Sequence, residues 1–141
     1  MHVEFLVKNS TGDIIFPIND DLILLSKNWD NIIDDEFRAP TLADDLAYAC
    51  IYSAKNKVFG VYHTSGKDIM SIYEIVERVA KYYGNSTDNL NKISTAILNQ
   101  KAVRPPKTGF ILDKSINELG YKPHSFEECL AIMDELLKTI D

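Results

Sequence analysis

Apolar positions recur at helical spacing in three stretches of this chain and fall into short β-prone runs elsewhere. The clearest helix carries Ile72, Ile75, Val76, Val79, Ala80 and Tyr83 on one stripe, the signature of a 3.6-residue period. Ser71 and Glu74 stand ahead of it at capping-box spacing, and Gly84 supplies a left-handed stop. A second stripe, Phe126, Cys129, Leu130, Met133, Leu136, Leu137 and Ile140, closes the chain. Ser125 and Glu128 repeat the capping box before it, and the stripe reads as core rather than as a ligand surface. The third helix carries Leu42, Leu46, Ala49, Cys50 and Ile51. Pro40 forces an extended approach to it, and Thr41, with Asp44 three residues on, is placed to cap it. Asp113 is expected to cap a short helix from Lys114 to Leu119, stopped at Gly120.

Between these helices lie the strand candidates. Val3–Lys8 and Ile14–Ile18 flank the turn-prone Asn9-Ser10-Thr11-Gly12-Asp13, which predicts a β-hairpin. Asp20 or Asp21 is placed to cap a short helix through Leu25 and Lys27. Asn31–Ile33 reads as a brief strand, Val58–Thr64 as a longer one, and Leu90–Ser94 as a short one before an extended loop. No repeat and no low-complexity segment interrupts this order.

The chain has 141 residues, 45% of them hydrophobic and 26% charged, enough for one ordinary globular domain. Its formal net charge of −6 disfavours a nucleic-acid partner, because phosphate backbones repel an acidic surface. The densest basic stretch, Lys101 to Lys107, is too sparse to change that. No apolar run approaches the ~20 residues that span a bilayer, so no membrane role is expected. Residues 1–5 lack the form of a signal peptide, which points to the cytoplasm. Cys50 and Cys129 sit in apolar helical patterns and are expected to be buried, reduced thiols. Without a nearby His pair they give no support for zinc.

Dinucleotide binding needs a glycine-rich strand-to-helix turn that lets the backbone approach a pyrophosphate. The six glycines, at 12, 60, 66, 84, 109 and 120, include no two close enough to form Gly-x-Gly or Gly-x-x-Gly. A carboxylate pair at Asp44 and Asp45 looks suited to acid–base work. Adjacent helix positions point ~100° apart, however, and the pull of the helix amino terminus explains Asp45 without catalysis. His63 is expected to be packed or hydrogen-bonded and His124 to be exposed.

Several segments occur in a fixed order: Asp34-Asp35-Glu36-Phe37-Arg38-Ala39-Pro40-Thr41-Leu42-Ala43-Asp44-Asp45-Leu46-Ala47, Gly60-Val61-Tyr62-His63-Thr64-Ser65-Gly66, Arg104-Pro105-Pro106-Lys107-Thr108-Gly109-Phe110 and Leu119-Gly120-Tyr121-Lys122-Pro123. In order and spacing they resemble the carboxy-terminal, substrate-binding half of the dTDP-4-dehydrorhamnose reductase family of extended short-chain dehydrogenases. The resemblance runs from about Leu22 to the end. It implies an α/β fold with helices on a small mixed sheet, lacking the glycine-rich dinucleotide-binding half. Residues 1–19 then form a divergent amino-terminal hairpin segment and residues 20–141 the substrate-binding domain.

The resemblance also implies where a ligand would sit. Asp35–Thr41 resembles the family's Asp-Gln-x-x-x-Pro-Thr loop, with Glu36 where Gln is usual. Arg104–Thr108 resembles its Arg-Pro-x-x-Ser/Thr loop. Arg38, Thr41, Arg104 and Lys107 are thereby the candidate substrate-binding residues, with a nucleotide sugar as the weakly held ligand. Arg38 has either a phosphate to grip with its bidentate fork or a surface pairing with Asp34 or Asp35. The loop at Arg104 is stiffened by Pro105 and Pro106, which lowers the entropy lost on binding, although a rigid surface loop needs no ligand.

The family's catalytic pair is a Tyr followed four residues later by a Lys, and none of the seven tyrosines here has that Lys. The chain is therefore expected to hold no catalytic residues and no cofactor of its own, with NAD(P) belonging to a full-length relative. It reads as an excised domain, a truncated product or one part of a split protein. Its partner would be a second copy or a missing Rossmann half. The same family includes the regulatory subunit of methionine adenosyltransferase, which acts by binding an enzyme, so a non-catalytic interaction subunit is the alternative.

Overall fold

The computed structural model describes residues 7–8, 14–18, 21–25, 31–98 and 104–138. Helix α2 (Ile72–Tyr82) organises the larger core because its apolar stripe is complete. Ile72, Ile75, Val76 and Val79 pack with Ile32 of strand β4 (Asn31–Ile33), with Met70, Leu90, and with Phe126 and Leu130 of helix α4 (Phe126–Lys138). Ser71 caps α2 as its spacing predicts, its Oγ accepting from the Glu74 amide at 3.1 Å. Past the C-cap Tyr83, Gly84 adopts φ 70°.

A smaller core joins helix α1 (Ala43–Lys55) to helix α3 (Asp113–Leu119). It holds Ala49, Leu112, Leu119 and Tyr121, with Tyr52, Val58 and Tyr62 packed against them. Gly120 ends α3 in the left-handed region, as expected. The residue before α3 is Leu112, with no side-chain cap, so Asp113 lies in the first turn rather than ahead of it.

Among the described residues, strand pairing is divided among three small sheets. Strands β1 (Val7–Lys8), β2 (Ile14–Ile18) and β3 (Asp21–Leu25) are antiparallel neighbours in that order. Val7 opposes Ile15, which gives the expected first hairpin over part of its length, and Ile18 opposes Asp21. The remainder of the Val3–Lys8 run and its Asn9–Asp13 turn lie outside the described residues. The short helix expected after Asp20 or Asp21 is not formed: Asp21–Leu25 is a strand. An apolar run of four fits either period, and pairing with β2 decides it.

β4 pairs in parallel with β7 (Asn91–Ile93), Ile32 opposite Lys92. β5 (Phe37–Arg38) pairs antiparallel with β6 (Met70–Ser71). The chain is thus α/β with helices on small mixed sheets.

Two further expectations are corrected. Residues 58–64 have no ladder partner among the described residues and form no strand. Cys50 is exposed; Cys129 is buried, and loss of solvation pushes its thiol up to about 11. Cys50 points about 100° away from Ala49 around α1, off the side on which Asp45 and Ala49 are buried. In α4, Phe126, Cys129 and Leu130 are buried, whereas Leu136 is half exposed; Leu137 and Ile140 lie outside the described side chains.

Candidate functional site

The segment from Asp34 to Thr41 leaves β4 and must reach the start of α1. Its first two residues are acids, and each is tied down. Asp34 accepts from Ser71 Oγ at 2.8 Å and from Lys92 Nζ at 3.0 Å. Asp35 accepts from Ser94 Oγ at 2.6 Å, from Thr95 Oγ1 at 2.5 Å and from the Thr95 amide at 2.9 Å. These donors favour the ionised form, so both carboxyls are held below the usual range, that of Asp35 at about 2. The pair fastens the loop to β7, to the 3-10 turn Thr95–Leu98 and to the cap of α2.

Groups whose folded pKa is depressed stabilise the fold above their unfolded pKa. That contribution disappears as pH falls through the folded value. Acid titration followed by circular dichroism is expected to show stability falling between about pH 4 and pH 2. An Asp35→Asn variant should be less stable at neutral pH and flatter across that window. An unchanged acid limb would show that Asp35 contributes nothing to the transition.

The next three residues form the centre of the site. The Glu36 carbonyl accepts from the Ile72 amide at 3.0 Å, on the α2 side. On the other side the Phe37 amide donates to Pro106 O at 2.7 Å, and Phe37 O accepts from the Thr108 amide at 3.1 Å. Phe37 and Lys107 thus form a parallel bridge. β5 therefore lies between β6 and the Pro105–Thr108 loop, and the two motif loops, about 70 residues apart in sequence, are hydrogen-bonded neighbours.

Arg38 pairs neither with Asp34 nor with Asp35. Its guanidinium meets Glu36 at 2.5 Å and donates to Pro105 O at 3.2 Å and to Phe37 O at 2.8 Å. Glu36 is buried at 6% exposure, and a buried carboxylate requires a partner. One Arg38 nitrogen thus neutralises Glu36 and the other clamps the proline loop. Arg104 is half-buried at the start of that loop, and Lys107 is exposed at its far end. Arg38, Arg104 and Lys107 accordingly gather on two adjoining segments of an otherwise acidic chain.

Thr41 does not cap α1. The residue ahead of the helix is Leu42, which makes no side-chain cap. Thr41 Oγ1 instead donates to Ala39 O at 3.0 Å and accepts from the Gly66 amide at 2.8 Å. Gly66 passes so close to Pro40 that a Cβ there would stand 1.8 Å from Pro40 O. This packing explains a glycine at the end of the 60–66 segment, for which sequence spacing alone gives no reason.

Sequence reasoning also missed a carboxylate cluster at the start of α4. Three successive amides each donate to a different acid: His124 to Asp45 at 2.9 Å, Ser125 to Glu128 at 2.6 Å and Phe126 to Asp68 at 2.8 Å. Asp45, buried at 6%, also meets His124 Nδ1 at 2.6 Å. The N-terminal donors of α4 are therefore satisfied from within the chain. The Ser125–Glu128 capping box is formed as expected. His124 is exposed as expected, yet engaged, and His63 is exposed and stacked on Phe110 at 4.7 Å. Among the described residues, no group of His, Cys, Asp and Glu is placed to hold a metal ion, and no helix is long and apolar enough to cross a membrane.

The fold is an α/β domain in which the Asp35–Thr41 and Arg104–Thr108 segments are joined by the Phe37–Lys107 bridge at β5. Residues 24–138 match the model of the RmlD substrate binding domain family, and the chain belongs to that family. No curated protein sequence matches it. Among solved structures, a dTDP-4-dehydrorhamnose reductase from Clostridium acetobutylicum superposes with a TM-score of 0.70 at 21% identity, over 79% of this chain and 39% of that one. The Bacillus anthracis enzyme, solved in complex with NADP, gives 0.66 at 22%, over 76% and 38% of the two chains. The Yersinia enterocolitica enzyme gives 0.65 at 18%, over 77% and 38%. This chain thus spans about two fifths of the length of the reductases it resembles.

Proposed function

We propose that this chain is the substrate-binding part of a dTDP-4-dehydrorhamnose reductase-like, NAD(P)-dependent sugar-nucleotide oxidoreductase or epimerase, and that it holds a nucleotide sugar without being catalytic by itself. The observation that carries this reading is the junction of the two motif loops at β5, which lies within the first of them. It brings Arg38, Arg104 and Lys107 together in a chain of net charge −6. Cations on a rigid loop suit a diphosphate, and an arginine fork suits it best. Arg38 shapes the loop through Glu36 and Pro105; Arg104 and Lys107, in no ion pair among the described residues, supply charge; and Thr41 positions the segment through Gly66.

Half a cleft gives weak binding, with Kd near about 1 mM. Calorimetry with dTDP- and UDP-sugars is the test. Arg104→Ala should weaken binding about tenfold, ~1.4 kcal/mol, and Lys107→Ala less. Equal affinity in the Arg104→Ala variant would remove the loop from the site.

Hydride and proton transfer belong, in this reading, to a dinucleotide-binding half. No glycine-rich turn and no Tyr–Lys pair occurs in the 141 residues. The chain alone is expected to leave NADH and NADPH fluorescence unchanged; saturable micromolar binding would refute this.

The division into residues 1–19 and 20–141 falls between β2 and β3, which pair. The amino-terminal segment is thus proposed as an addition that shares a sheet with the start of the family domain. The protein partner is a second copy or a separate dinucleotide-binding half, and the working compartment is the cytoplasm. A non-catalytic interaction subunit is the competing reading. The exposed apolar residues Phe59, Val61 and Ile111 favour it. A tight protein partner in the absence of any nucleotide-sugar binding would establish it.

A further inference from the structure

The Glu36–Arg38 pair fixes how much positive charge the loop junction can offer a ligand. The Glu36 side chain is 8% exposed and that of Arg38 27%, and Arg38 Nη2 lies 2.5 Å from Glu36 Oε2. Among the described residues, no other hydrogen-bond donor meets that carboxylate. Asp34 and Asp35 are held elsewhere, by Ser71 and Lys92 and by Ser94 and Thr95. The other terminal nitrogen of Arg38, Nη1, donates to Phe37 O and Pro105 O. Taking one partner from a buried ion pair leaves an uncompensated charge, which is strongly destabilising. A phosphate that drew Arg38 away would leave Glu36 in that condition, so the guanidinium stays on the acid. Arg38 thus ties the two loops together without adding net charge to them.

Two cations remain at the junction. Arg104 is half-buried at the start of the proline loop and Lys107 is exposed at its far end. Neither enters an ion pair among the described residues. The diphosphate of a nucleotide sugar is esterified at both ends, so each phosphate keeps a single negative charge. A free nucleoside diphosphate ends in a terminal phosphate whose second pKa is about 6, so it carries about three charges at neutral pH. Two cations match the diester, whereas a third would favour the free diphosphate.

We propose that Glu36 is a specificity-determining residue: by holding Arg38 it withholds a third cation, so the junction prefers a doubly esterified diphosphate to a free nucleoside diphosphate. Glu36 acts through Arg38 and touches no ligand. The proposal rests on the nucleotide-sugar reading above and adds which kind of diphosphate that site selects. Glu36→Gln keeps the shape and an acceptor oxygen. A neutral acceptor lacks the charge attraction that holds the guanidinium, so in that variant a phosphate competes for Arg38 and its bidentate fork.

Calorimetry of the full chain with dTDP-glucose and with dTDP tests it, with thermal melts to confirm folding. Wild type should hold dTDP-glucose at least as tightly as dTDP. Glu36→Gln should bind dTDP about tenfold more tightly and dTDP-glucose about threefold or less, reversing the preference. Glu36→Gln combined with Arg38→Gln removes both charges and should lose that gain. Wild type that binds neither ligand would overturn the nucleotide-sugar reading and this proposal together. Binding that Arg104→Ala weakens but Glu36→Gln leaves with the same ratio of affinities would overturn the role of Glu36 and leave the site standing. A wild type that already prefers dTDP, or a gain that survives in the double variant, would likewise overturn it.

Discussion

Gly66→Ala is expected to destabilise the fold by about 3 kcal/mol or more, and to lower Tm by roughly 10 °C. The new Cβ would lie 1.8 Å from the Pro40 carbonyl oxygen and 2.9 Å from its carbonyl carbon. Both atoms are backbone, so no rotamer change relieves the overlap. Separating the two segments would stretch the hydrogen bond from the Gly66 amide to Thr41 Oγ1. It would also disturb the entry to α1, because Pro40 and Thr41 lead straight into that helix. Gly109→Ala is the control. There the Cβ would meet Ile69 Cδ1 at 2.7 Å, the far end of a flexible side chain, and a rotamer change is enough. Denaturant titration of the two variants should separate them by more than about 1.5 kcal/mol. Similar midpoints would show that the Pro40–Gly66 approach relaxes easily.

The contrast between those two glycines marks how far local sequence signals reach here. Signals that act within one turn of chain were legible. Ser71 with Glu74, Ser125 with Glu128, and the stops at Gly84 and Gly120 all stand where spacing places them. The stripe of α2 is buried because its period is unbroken over the whole helix. Thr41 misled because its hydroxyl has a tertiary partner, Gly66, 25 residues away. The run at 58–64 has β-prone composition, but a strand also needs a ladder partner, which composition cannot supply. Asp21–Leu25 failed for the converse reason, since pairing with β2 overrides a weak helical signal.

At the candidate site, the meeting of the Asp35–Thr41 and Arg104–Thr108 loops was suggested only by family resemblance. Nothing in either loop announces the other. The Phe37–Lys107 bridge and the Arg38–Pro105 contact join residues roughly 70 positions apart. The pairing of Arg38 with Glu36, two residues before it, lay within local reach. It was obscured because Asp34 and Asp35, the two residues just before Glu36, are also within local reach of Arg38. Their oxygens are taken by Ser71, Lys92, Ser94 and Thr95, which leaves Glu36 for the arginine.

Asp45→Ala is expected to be the most damaging change at an acidic position, costing about 3 kcal/mol. Read from sequence, Asp45 is a helix-dipole acid in the first turn of α1, worth about 0.3–1 kcal/mol. In the fold it is buried and accepts twice from His124, once from the amide and once at Nδ1. It thereby fixes the chain entering α4 against the start of α1, 79 residues away. Truncation would leave the His124 amide without that acceptor beside the carboxylates Asp68 and Glu128, which already serve the next two amides. Asp45→Asn keeps the shape and an acceptor oxygen but loses the charge-assisted bonds, so it should cost less than alanine. His124→Ala removes only the ring contact and should cost least, about 1 kcal/mol. A double-mutant cycle between positions 45 and 124, read from urea midpoints, should give a coupling energy of about 1 kcal/mol. A loss at Asp45→Ala below about 1 kcal/mol would mean that the first-turn position alone accounts for this residue.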